Sequence, residues 1–261
     1  MAWTALNPRW TDWREKRVWL VGASSGIGAA LARALLARGA WVALSARRAE
    51  ALKAVADEHA TALLLPMDAT DPHAWHLAHD TLREAWEGVD LVVFCAADYR
   101  ALRPWELEAE SVRHTIETNL NSVYYGLQAT LTDMLARGSG SLVLVASVAG
   151  YMGLPNATVY GPTKAALINL AELLYAELHP RGLGVYLVNP GFVKTRLTAN
   201  NAFPMPALLT PEAAAEAILQ GLARGRFEID FPRRFTRLLK LASLLPYRLR
   251  LAALQKVMDA P

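Results

Sequence analysis

Val18-Trp19-Leu20-Val21-Gly22-Ala23-Ser24-Ser25-Gly26-Ile27-Gly28 decides how the rest of the chain is read. An apolar run of strand length passes directly into three glycines spaced G-x-x-x-G-x-G. Apolar residues then recur at Ile27, Leu31, Ala34 and Leu35, as on one face of a helix. Glycine lets a chain turn sharply, lets backbone approach another molecule closely and lets a helix pack tightly on a strand. A helix starting there offers unpaired N–H groups and a positive dipole end to a phosphate, and Ser24 and Ser25 add hydroxyl donors. A plain strand-to-helix turn is the other reading. Its position at the first strand–helix junction favours a cradle for a pyrophosphate.

Outward from that turn, short β-rich runs alternate with helical runs. Strands are expected at 17–21, 41–45, 62–65, 90–95, 141–146 and 184–188, and helices at 27–38, 50–59, 73–86, 111–137, 158–178 and 211–224. Strands that are apolar on both faces and joined by helices indicate a parallel sheet covered on both sides. The fold class expected is α/β: one Rossmann-like doubly wound domain with a seven-stranded parallel sheet. The catalytic domain is expected over 1–230, with 231–261 as a basic amphipathic helical extension of it.

Composition narrows the class. The 261 residues suit a single domain with a large core. With 53% apolar and 20% charged residues, disorder is excluded. Cys95 is the only cysteine, so neither an internal disulfide nor a cysteine zinc cluster is available. No run reaches the length of a membrane span, and residues 1–16 lack the apolar segment of a secretory signal. A cytoplasmic protein is the expectation. His73, His76 and His79 recur on one helix without a partnering cluster, so they are read as a solvated face and no metal is expected.

Charge is unevenly placed. Residues 1–223 hold 18 basic and 21 acidic residues, whereas 224–261 hold 9 and 3. That asymmetry suits an anionic surface but carries no nucleic-acid motif. Where the second strand ends, at Leu44-Ser45-Ala46-Arg47-Arg48, an acid would hold the ribose 2′-hydroxyl of NAD. Small Ala46 and basic Arg47 and Arg48 suit a 2′-phosphate instead, so NADP(H) is favoured over NAD(H). Asp68, at the end of the third strand, is placed either to meet an adenine amino group or to serve as a turn residue.

Tyr160 and Lys164 lie four residues apart on an expected helix and so share a face. A nearby ammonium favours the phenolate and lowers a tyrosine pKa, which makes a general acid/base without histidine or metal. Ser147 ends the fifth strand, at the carboxyl edge where open α/β sheets bind ligands, and is placed to hold a substrate carbonyl.

The glycine turn, Asn119, Ser147, Tyr160-Gly161-Pro162-Thr163-Lys164 and Asn189-Pro190-Gly191-Phe192-Val193-Lys194-Thr195 stand in one order at one set of distances. In these the chain resembles the short-chain dehydrogenase/reductase family over about residues 15–225. The resemblance implies catalytic roles for Asn119, Ser147, Tyr160 and Lys164. It implies cofactor contacts from Gly22, Ser24, Ser25, Gly26, Ile27, Gly28, Arg47, Arg48, Asp68, Ala69, Ala96, Asn119, Tyr160, Lys164, Pro190, Gly191, Val193 and Thr195. It also implies hydride transfer between a nicotinamide and a carbonyl or secondary alcohol, and a homodimer or homotetramer. Three positions depart from the family pattern. Val21 replaces a threonine, Phe94-Cys95-Ala96-Ala97 replaces Asn-Asn-Ala-Gly, and Pro162 stands inside the active-site peptide. The proline fits if Tyr160 lies in a helix's first turn.

The segment after the Pro-Gly turn carries Phe192, Leu197 and Phe203, and Tyr151, Met152 and Leu154 are candidates for an opposing wall. With Ser147 and Tyr160 they are the expected substrate residues, for a lipid-like, terpenoid, steroid-like or aromatic carbonyl or alcohol. Residues 231–258 interleave seven basic residues with leucines and no acid, broken at Pro246. Such helices lie on an anionic membrane face or pack on a neighbouring subunit. A regulator that senses NADP(H) without turnover, and a membrane-bound scaffold, are the rival readings. The regulator has no need for Ser147, Tyr160 and Lys164 together, and all three are present.

Overall fold

The computed structural model describes residues 5–199, 201 and 203–259, the side chains of 257–259 excepted. Trp3 and the side chain of Val257 lie outside the described residues. In chain order the elements begin with β1 (Arg17–Val21), α1 (Gly26–Leu36), β2 (Trp41–Ser45), α2 (Ala49–Ala56), β3 (Ala62–Leu64), α3 (Pro72–Trp86) and β4 (Leu91–Phe94). They continue with α4 (Ala109–Ile116), α5 (Ser122–Arg137), β5 (Gly140–Val145), α6 (Tyr160–Leu178), β6 (Leu183–Pro190), α7 (Pro211–Ala223), β7 (Glu228–Phe231), α8 (Arg233–Ser243) and α9 (Tyr247–Asp259).

All seven strands are parallel, in the order β3-β2-β1-β4-β5-β6-β7. The direction of winding reverses between β1 and β4, and a crevice opens there at the carboxyl ends of the strands. One core layer packs α1, α2 and α7 on the sheet through Leu31, Leu35, Leu52 and Ile218. The other packs α3, α5 and α6 through Trp75, Leu82, Leu127 and Leu167. Close approach is built in at Gly126 of α5, where an added Cβ would lie 2.4 Å from Phe94 and 2.6 Å from Trp75. Gly221 of α7 meets Ile229 of β7 in the same way, at 2.5 Å.

At the amino ends of the strands, away from the crevice, the N-terminal segment straps the sheet. Buried Asn7 donates to the Val185 carbonyl at 2.6 Å and accepts from its N–H at 2.9 Å. Tyr186 reaches the Pro8 carbonyl, and Tyr175 the Leu6 carbonyl.

Four features differ from the sequence reading. The helix expected over 111–137 is two helices joined by a π turn at Glu117–Asn121. The seventh strand, β7, is one that the apolar pattern does not locate. It ends at Phe231, so the expected domain boundary at 230/231 cuts through it. His79 is buried, stacked 6.5 Å from Trp19 with Nε2 3.5 Å from Asp133, while His73 and His76 are exposed. A three-residue spacing drifts around a helix of 3.6 residues per turn, and the third histidine has rotated onto the core face. Among the described residues no group of three His, Cys, Asp or Glu is placed to hold a metal ion.

Candidate active site

A cleft of about 470 Å³ follows the carboxyl ends of the strands. The glycine turn forms its floor. Gly22 has φ +96°, and a Cβ there would sit 2.5 Å from the Ala96 nitrogen. Gly28 allows no side chain either, since a Cβ would lie 2.2 Å from the Gly22 carbonyl oxygen. Gly26, at φ +57°, faces Thr195. Ser25 stands at the N-cap of α1 in an extended conformation without a capping hydrogen bond from its side chain. The turn therefore brings bare backbone and the amino end of α1 to the cleft wall. That suits a pyrophosphate and leaves no room for a bulkier sequence.

Every cofactor residue expected from the sequence lines this cleft except Asn119. From the turn come Gly22, Ser24, Ser25, Gly26, Ile27 and Gly28; beyond β2 and β3 come Arg47, Arg48, Asp68 and Ala69; Ala96 follows β4. Pro190, Gly191, Val193 and Thr195 line it beyond β6. Three strand intervals separate the ends of β2 and β5, about 14 Å at the usual spacing. That is the reach of an extended dinucleotide. Arg47 and Arg48 are exposed at one end with no carboxylate partner among the described residues. Asp68 accepts from the Thr70 N–H at 3.0 Å and hydroxyl at 2.9 Å. Burial raises its pKa, but those bonds and Arg47 carry it below the ordinary value.

Midway along the cleft stand the three residues with chemistry. Ser147 caps a short 3-10 turn at Val148–Gly150, and its hydroxyl accepts from the Ala149 N–H at 3.1 Å. Tyr160 is the first residue of α6, so Pro162 falls in the first turn, where its missing N–H costs nothing. Lys164 follows one turn later, 2% exposed, donating to the Val145 carbonyl at 2.9 Å with Nζ 5.4 Å from the Tyr160 ring centre. Burial pushes the Tyr160 phenol up to about 12, with the Ser147 hydroxyl acting against it. Burial also brings the Lys164 ammonium down to about 8. Desolvation thus sets the direction for Tyr160, against the lowering expected from the lysine. Tyr99 stands edge-on to Tyr160, ring centres 4.9 Å apart, and lines the same cleft.

Asn119 lies behind the wall in the π turn, 1% exposed. Its side-chain oxygen accepts from the Asp98 N–H at 2.7 Å, and its amide donates to the Asp98 carbonyl at 2.9 Å and the Thr163 hydroxyl at 3.1 Å. The side chain is thus spent on protein partners. It ties the loop after β4 to the first turn of α6, which carries Tyr160.

At the apolar end Phe192, Leu197 and Phe203 line the cleft as expected, with Leu154 and Pro155 opposite. Tyr151 and Met152 do not line it. The Tyr151 hydroxyl turns away to donate to Glu228 at 2.7 Å, where Asn189 donates at 2.8 Å and Lys240 also pairs. That half-buried carboxylate needs donors and takes the tyrosine with it. Ala46 lines the cleft as the 2′-phosphate reading expects, and the sequence reading missed Met67, Cys95, Tyr99 and Thr118 as wall residues. Burial pushes the Cys95 thiol up to about 11.

The short chain dehydrogenase family profile matches residues 16–204. An uncharacterized oxidoreductase of Myxococcus xanthus is 36% identical over 242 residues, 91% of this chain and 96% of its own. Among solved structures, a short-chain dehydrogenase from Streptomyces avermitilis superposes with a TM-score of 0.79 at 29% identity, covering 94% of this chain and 98% of that one. A short-chain dehydrogenase from Sphingobium yanoikuyae in complex with NADPH gives 0.77 at 26% identity, over 88% and 96%. The fold, the matched span and the glycine turn agree, and the chain belongs to the short-chain dehydrogenase family of oxidoreductases, which bind a nicotinamide cofactor.

Proposed function

We propose that the protein is an NADP(H)-dependent oxidoreductase that interconverts a carbonyl and a secondary alcohol on an apolar substrate. The observation that carries this reading is one cleft holding Ser147, Tyr160 and Lys164 midway, a glycine turn on its floor, arginines at one end and phenyl rings at the other. When bound, the nicotinamide supplies or accepts the hydride.

The chain's own residues do the rest. A phenol near 12 is protonated at neutral pH, so Tyr160 stands ready to give its proton to a carbonyl oxygen. Ser147 donates to the same oxygen and stabilises charge developing on it. Lys164 spends one of its three donors on Val145 and offers the others to the nicotinamide ribose. Asn119 holds Tyr160's helix against the loop after β4, and any relay of protons past it runs through backbone rather than its side chain. Arg47 meets the 2′-phosphate. Leu154, Phe192, Leu197 and Phe203 exclude water from the reacting carbon.

Mixing the protein with NADPH and a panel of apolar ketones, and following NADPH absorbance, tests the reading. Turnover that Tyr160→Phe lowers by about 10²–10⁴-fold, with cofactor binding kept, is the expected result. Binding without turnover on any carbonyl would favour a sensor of NADP(H). Equal dissociation constants for NADPH and NADH would remove the cofactor preference.

A further inference from the structure

We infer that α8 and the start of α9 form a surface that seats on an anionic lipid membrane beside the apolar end of the cleft. The orientation of α8 is fixed from within. Phe235 packs on Phe192 with ring centres 5.7 Å apart, fully buried Thr236 donates to Asp230, and Lys240 pairs with Glu228. Those contacts turn the 235/236/240 face inward. They leave Leu238, Leu241 and Leu244 pointing out, at 64%, 65% and 80% exposure.

A helix that serves only its own core puts its apolar stripe inside. α8 does turn Phe235 inward, but its outer face also carries leucines, interleaved with exposed Arg234 and Arg237. Past Pro246, Tyr247, Leu249 and Leu251 of α9 are exposed as well, with Arg248 among them. Arg250 donates to the Ser243 carbonyl at 2.8 Å, which ties the two helices together.

Charge selects the occupant. Residues 233–258 hold seven basic residues and no acid. Arg234, Arg237 and Arg248 meet no carboxylate among the described residues. A two-fold contact between copies would bring two such basic patches together with no acid in 233–258 to pair them. An anionic bilayer matches both halves of the pattern: leucines enter the headgroup boundary and arginines meet the lipid charge. No helix among the described residues is long and apolar enough to cross a membrane, so the contact is peripheral. Phe235 touches Phe192, which meets Phe203 at 6.0 Å, and both line the cleft. The lipid face is therefore one side chain away from the apolar subsite.

The test is co-sedimentation of the full chain with phosphatidylglycerol-containing vesicles and with pure phosphatidylcholine, at low and high salt. It needs neither cofactor nor substrate, so its failure leaves the proposed chemistry standing. The expected result is pelleting with anionic vesicles at low salt, none with neutral ones, and loss as salt rises. The combined change Leu238→Ser, Leu241→Ser and Leu244→Ser touches only exposed positions, and should abolish pelleting while circular dichroism stays unchanged. Arg234→Gln, Arg237→Gln and Arg248→Gln together should lower partitioning on the order of a hundredfold. A full chain that stays in the supernatant, equal pelleting with neutral vesicles, or a leucine variant that pellets undiminished would each overturn the inference. So would a leucine variant whose only change is from dimer to monomer in analytical ultracentrifugation, which would assign the patch to a second copy.

Discussion

An ammonium held at 2% exposure, as at Lys164, has given up nearly all its water for one carbonyl, that of Val145. Burial puts it at about 8 in the folded chain against an ordinary 10.5. Between those values the unfolded chain keeps a proton that the folded chain has released, so stability rises with pH, by up to about 1.4 kcal/mol per unit. Below 8 both states are charged and the full cost is present. The thiol of Cys95, raised to about 11 from 9, acts in the opposite direction above pH 9. Urea unfolding at pH 8 and 9 should therefore show the chain gaining stability over that unit, and Lys164→Met should not gain it. Lys164→Met should also lose turnover. Arg47 is exposed, so Arg47→Ala should leave folding untouched and weaken NADPH binding by about 1.5–3 kcal/mol, with little change for NADH, as titration calorimetry would read. Residues of this kind were legible in the sequence because their types and spacing carry the chemistry. Tyr99 was not. It sits in a loop whose path no periodicity encodes, and only folding sets its ring against Tyr160.

Elements were legible where apolar residues repeat, and β7 shows where that fails. Glu-Ile-Asp-Phe is four residues long at the sheet edge, with only Ile229 and Phe231 buried. Too short for a pattern, it is held by register against β6. The π turn at Glu117–Asn121 escaped for a different reason: it keeps helical spacing on both sides and adds a residue between. The distances between helices and sheet are set by single glycines. In an isolated helix Gly126→Ala would be favourable by about 1 kcal/mol, from propensity. Within α5 the new methyl would press on Phe94 and Trp75, and overpacking of about 1–3 kcal/mol should win. A lower denaturant midpoint with an unchanged slope is the expected result. Gly221→Ala in α7 should do the same against Ile229.

On the scale of the whole molecule, the cleft gathers residues from the carboxyl ends of six of the seven strands, so a ligand there braces much of the fold at once. Cofactor at a hundred times its dissociation constant should add about 2.7 kcal/mol to unfolding. In a chain of 261 residues that corresponds to a rise of about 5–10 °C in Tm. NADPH should give that rise in differential scanning fluorimetry, and NADH at equal concentration a smaller one. Asn7 is tied to Val185 across 178 residues, so it waits for a strand made much later than itself. At a synthesis rate of about 5–20 residues per second, the partner of Asn7 appears about 10–35 s after Asn7 itself. During that interval Trp10 and Trp13, stacked 5.4 Å apart in the finished protein, have no α7 to rest on. On the ribosome the segment around Asn7 thus emerges well before the strand that fastens it, and a nascent chain stalled before residue 185 would lack that fastening.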